Sequence, residues 1–131
     1  MRVSDWANDM LGKSTFKVAT DPTEVNLVVV SVAELGFKDG AKLKDIYAKA
    51  QQLGLQLCPN EVGPKLRLEY ADQPMGEWLI IGMEPITASG GFLRLFRVER
   101  RDNGLWLDSL YDNPDDIWNA DNRFVFVLPS K

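Results

Sequence analysis

Apolar and polar positions follow three rhythms along this chain. From Lys42 the period is 3.6: Leu43, Ile46, Tyr47, Ala50 and Leu53 share one helical face, while Lys42, Lys44, Asp45, Lys49 and Gln52 take the other. Gly54 supplies a stop, so the spacing predicts an amphipathic helix. Val25 to Val32 (VNLVVVSV) is a β-branched run too short for an ordinary helix and predicts a buried strand. Past Asp72 the chain reads as β throughout. Glu77 to Met83 forms one strand, Gly90-Gly91 a turn, and Phe92 to Arg101 a longer strand whose alternation slips between Leu95 and Phe96, as at a bulge. Asp102-Asn103-Gly104 signals a hairpin into Leu105-Trp106-Leu107. Asp108 to Arg123 reads as a polar loop spotted with aromatics, and Phe124 to Leu128 as a final strand.

Two segments are less regular. Ser4 can cap a short helix over Asp5 to Leu11 that Gly12 stops, followed by a loop from Ser14 to Thr23. Asn60 can cap a second short helix with Val62, Leu66 and Tyr70 inward, although Pro64 falls at its fourth position. Leu66, Leu68 and Tyr70 also alternate, which supports a strand from Lys65 instead; the helix is the better of the two. Helices first and hairpin-linked strands later predict an α+β fold: two or three short helices packed on one face of an antiparallel sheet of four to five strands. Length and apolar content suit one domain over residues 1–131, with 1–23 as a loosely packed N-terminal arm.

Composition removes several chemistries. The chain has no histidine and one cysteine, so Ser-His-Asp and Cys-His nucleophile systems, HExxH zinc sites and an intrachain disulfide cannot be built from it. No cofactor or metal site is expected. Fifteen Lys and Arg against 19 Asp and Glu give a net charge of -4, which disfavours general polyanion binding, so nucleic acid is not the expected partner. The first twenty residues lack the apolar core of a secretory signal, and the longest apolar run, Phe124 to Leu128, is far short of a membrane span. Those features predict a cytoplasmic protein with no membrane association.

SVAELGF (31–37), DIYAKAQQLGLQLCPNEVGPKLRL (45–68), GEWLIIGMEPI (76–86), GLWLD (104–108) and DNRFVFVLP (121–129) together resemble a family of small uncharacterised bacterial proteins. The resemblance covers most of the chain beyond residue 30 and none of the first thirty. It implies a bacterial origin and assigns no residue a role.

Local motifs give little chemistry. Gly12-Lys13-Ser14 lacks the leading glycine and preceding strand of a P-loop, and Ser14-Thr15-Phe16-Lys17 matches S-x-x-K without its partner boxes. Cys58, between Leu57 and Pro59, reads as a small buried hydrophobe rather than a reactive thiol. The five aspartates from Asp108 to Asp121 fit no EF-hand register and read as a solvated loop.

Three functional readings follow. The first is a non-catalytic binding domain for a protein or small ligand, using Trp106, Tyr111, Asp115, Asp116 and Trp118 as an aromatic-acidic face. A second is a winged-helix-like nucleic-acid regulator, with Lys42 to Tyr70 as helix-turn-helix and Arg94, Arg97, Arg100 and Arg101 on one arm. The third is a histidine-free enzyme with paired carboxylates. The arginine arm is expected to meet an aspartate of the Asp108 to Asp121 stretch.

Overall fold

A computed structural model describes residues 2–16 and 25–129 of the chain. Its elements in order are β1 (Arg2–Val3), α1 (Asp5–Leu11), β2 (Asn26–Ser31), α2 (Leu43–Gln52), α3 (Val62–Glu69), β3 (Trp78–Ile81), β4 (Ile86–Thr87), β5 (Leu93–Arg101), β6 (Gly104–Tyr111) and β7 (Arg123–Leu128). The seven strands form one sheet in the order β1-β6-β5-β3-β7-β2, with β4 also paired to β5. Two joins are parallel, β1 to β6 and β3 to β7, and the others are antiparallel.

This is an α+β fold, but the sheet is larger than the four to five strands predicted, and mixed. The reason is physical. β1 and β4 are two residues each and carry no periodicity to read. The β3–β7 parallel join arises because β7 enters between β3 and β2, a placement that no local pattern encodes. Nor do the helices share one face. Ile80 stands opposite both Phe124 and Arg97, which sets those three side chains on the same side of the sheet. Tyr47 of α2 lies edge-on to Phe124 and Phe126, ring centroids 6.4 and 5.9 Å away, so α2 covers that side. Phe96, the neighbour of Arg97, points to the other side, where Gly63 of α3 packs directly on its ring. Covering both sides explains why Leu95 and Phe96 are both fully buried. No bulge is needed, and the β5–β6 register runs unbroken from Arg94↔Tyr111 to Arg101↔Gly104.

Several elements follow the sequence closely. Ser4 caps α1, its hydroxyl accepting from Ala7 N at 3.2 Å. Leu43, Ile46 and Ala50 are buried under α2, while Leu53 at its end is exposed. The Tyr47 hydroxyl donates to Met83 O at 2.7 Å and accepts from Met83 N at 2.9 Å, locking α2 to the chain beyond β3. The 62–69 segment is a helix, with Pro64 in its first turn where a missing N–H costs little. Gly104 takes a positive φ of 131° at the hairpin, as the turn requires.

Other elements differ. β2 is an edge strand, half-exposed along one side, rather than a buried one. β6 runs on to Tyr111, so Asp108 is a strand residue opposite Arg97 and the loop begins only at Asp112. Within the predicted N-terminal arm, residues 2–16 are described: β1 pairs with β6, and Ala7 and Met10 are fully buried. The rest of the predicted loop from Ser14 to Thr23, and Lys17 of the S-x-x-K match, lie outside the described residues beyond Phe16. Among the described residues no helix is long and apolar enough to cross a membrane.

Candidate functional site

The four arginines of β5 divide between the two faces of the sheet. Arg94 and Arg100 project to the α1–α3 side. There Arg94 sits 4.1 Å from the Trp6 ring centroid and donates to Ser109 Oγ, and Arg100 donates to Gln73 O. Arg97 and Arg101 project to the α2 side and both pair with Asp108, Arg97 at 2.8 Å. Arg101 also pairs with Glu99. Burial alone would raise the Asp108 pKa, but hydrogen bonds from Arg97, the Ser109 N–H and Ser4 outweigh it and hold the carboxyl below its usual range. The two arginines on each side are thus engaged within the molecule, and α2 and α3 lie on opposite sides of the sheet rather than forming a helix-turn-helix unit.

The aromatic-acidic residues do not converge either. Trp106 lies on the α2 side, stacked under Arg101 at 4.5 Å and Arg2 at 5.7 Å. Tyr111, an odd number of residues along the same strand, faces the other side and meets the edge of Phe92. Trp118 turns inward onto Phe124, with its backbone bridged to Ala41, while Asp115 and Asp116 occupy an exposed turn. Asp112 is buried with Oδ1 unpaired among the described residues, and burial raises its pKa. Cys58 is buried, donates to Val125 O at 3.3 Å, and has its thiol pKa pushed up to about 12, which removes thiolate chemistry near neutral pH. Among the described residues no three acidic or thiol side chains gather as a cation site.

Two depressions open on the surface formed by the described residues. One is shallow, lined by Ala33 and Ala120 with Ser31, Glu34, Asp121 and Arg123 around them. Glu34 accepts there from the Ser31 N–H, which holds its pKa low and suits a backbone cap better than a general acid. The other is a groove of about 380 Å³ between α3 and the β2 side of the sheet. Leu79 and Val125 form its floor, Leu66 and Tyr70 of α3 one wall, and Leu27 and Val29 of β2 the other. Glu77 and Arg123 stand at its margin 3.8 Å apart.

The carboxylate of Glu77 is fixed from behind. Gln73, fully buried, donates to Glu77 Oε1 at 3.3 Å and accepts from Arg67 Nη1 at 2.7 Å. A hydrogen bond to Glu77 also raises the Tyr70 hydroxyl pKa. A buried guanidinium thus steadies one polar group beside an otherwise apolar groove. Sequence reading missed this site because its walls come from residues 27, 66, 79 and 125, which no short motif links.

Fold and groove together define a mixed-sheet α+β domain with an apolar surface groove and one anchored carboxylate. Comparison of the chain with family models, curated proteins and solved structures returned no match in any of the three.

Proposed function

We propose that this protein works by binding rather than by chemistry, and that the groove between α3 and β2 seats an apolar small ligand or the apolar side chain of a protein partner. The observation that carries the reading is the groove's composition. Five aliphatic side chains face an opening whose polar groups are confined to Tyr70, Glu77 and Arg123. Its volume falls within the range of about 300–1,000 Å³ typical of ligand sites, and a few fixed polar groups beside an apolar floor are how such sites orient what they hold. The nucleic-acid reading has less support, because the arginines it needs are divided between two faces and two of them are neutralised by Asp108 and Glu99.

The test is a titration of the folded protein with anilinonaphthalene sulfonate, an apolar anion, followed by amide chemical shifts. Saturable shifts centred on Leu66, Tyr70, Leu79 and Val125 are expected, and Leu66→Asp should abolish them while leaving the remaining spectrum in place. Shifts centred on the Trp106 face, or none below millimolar probe, would overturn the assignment.

A further inference from the structure

The outer edge of β2 carries a row of backbone groups that nothing among the described residues satisfies. Val32, directly after β2, donates to Asn122 O at 3.0 Å, in line with the β2–β7 register, so even-numbered residues of this strand bond inward to β7. Odd-numbered residues therefore face out. At Ser31 this outward pair is closed: its N–H donates to Glu34 Oε1 at 2.8 Å and its C=O accepts from Leu35 N at 3.2 Å. At Leu27 and Val29, and at Val25 just before the strand, no backbone partner is found among the described residues. The same three side chains are 42, 36 and 45% exposed for Val25, Leu27 and Val29. Edge strands are normally guarded by lysine, proline or a bulge, and VNLVVVS has none of them.

We infer that this edge pairs with β2 of a second copy of the chain, antiparallel, about a two-fold axis through Leu27. The row itself selects that occupant and register. Three open positions spaced two apart match themselves under a two-fold rotation: Val25 faces Val29 of the second copy, Leu27 faces Leu27, and Val29 faces Val25. All the open N–H and C=O groups are then used. Sliding the register by one pair in one direction brings Val25 against the closed Ser31, and in the other direction sets Val29 opposite none of the three open positions. Opposed residues in an antiparallel pair point to the same side, so the two apolar stripes join into one. The strand carries no charge, so the overall charge of -4 is not concentrated where the copies meet.

The shared edge is about 20 Å long, the length of an ordinary strand. The inference does not depend on what the groove binds. Its consequence for the groove is geometric: the walls formed by Leu27 and Val29 of the two copies become neighbours across the axis.

Sedimentation equilibrium from 1 µM to 1 mM should show the weight-average mass doubling. Because Leu27 lies opposite itself, Leu27→Lys and Leu27→Glu should each stay monomeric, and an equimolar mixture of the two should recover the doubled mass. A wild-type chain that remains monomeric at 1 mM, or a Leu27→Lys chain that assembles as wild type does, overturns the inference. Should either variant fail to fold, hydrogen exchange on wild-type protein decides. Leu27 and Val29 amides should slow at least tenfold with rising concentration while Val28 and Val30 stay constant, and concentration-independent exchange at Leu27 and Val29 counts against the pairing.

Discussion

Arg67 carries its charge into the interior and meets no carboxylate there among the described residues. It is 1% exposed, and its guanidinium donates to Gln73 Oε1 at 2.7 Å, Tyr70 O at 2.6 Å, Glu99 O at 3.1 Å and Trp106 O at 3.3 Å. Those acceptors belong to α3's end, the chain beyond it, β5 and β6, so one side chain ties together four segments. Truncation would leave each acceptor dry. Arg67→Ala is therefore expected to cost about 3–5 kcal/mol in urea denaturation, and Arg67→Lys to recover only part, since a single ammonium cannot span the same fork.

Two aspartates near the end of β6 respond to pH in opposite senses. Asp108 has a lowered folded pKa, so its stabilisation is present above the ordinary carboxylate range and is lost as pH falls through that lowered value. Asp112 has a raised folded pKa; its contribution is favourable at low pH and declines as pH rises from the unfolded value through the folded one. Asp108→Asn should cost about 1–3 kcal/mol at pH 7 and less at pH 3. Asp112→Asn should gain stability relative to wild type between pH 3 and pH 7. Denaturation midpoints of the two variants at both pH values check the crossed pattern.

At the scale of elements, α3 sits close to the sheet because Gly63 lets it. A Cβ there would stand 2.8–2.9 Å from the Phe96 ring, which is itself fully buried and cannot retreat. Gly63→Ala should favour the isolated helix by up to about 1 kcal/mol. Overpacking against Phe96 outweighs that, and a net loss of about 1–3 kcal/mol is expected in chemical denaturation. On the opposite side, Ile46→Ala should cost about 2–5 kcal/mol, because Ile46 is fully buried under α2.

The contrast between these helices shows what the sequence could reveal. The inward face of α2 was legible from period alone, apart from Leu53, which caps the helix and is exposed. In α3 the helix was legible but its inward residue was not, since an arginine at position 67 reads as solvent-facing unless its buried acceptors are known. VNLVVVSV announced a strand, yet a β-branched run looks alike in the middle of a sheet and at its edge. Strand pairing decides between those, and pairing is a long-range property. The groove was illegible for the same reason, while the Arg97–Asp108 contact was within reach because a hairpin of known turn sets its register.

Seen whole, the molecule depends on β7. That strand lies between β3 and β2, its Phe124 and Phe126 fully buried, and β2 has no other strand partner within the chain among the described residues. A chain ending at Asn122 should therefore show no cooperative calorimetric transition, rather than a modestly lowered melting temperature.

The position of β7 also imposes an order in time. At roughly 5–20 residues per second of synthesis, about 5–20 s separate the making of β2 from the making of the strand that receives it. Through that interval Leu27 to Val30 is an apolar, uncharged segment whose strand partner has not yet been made.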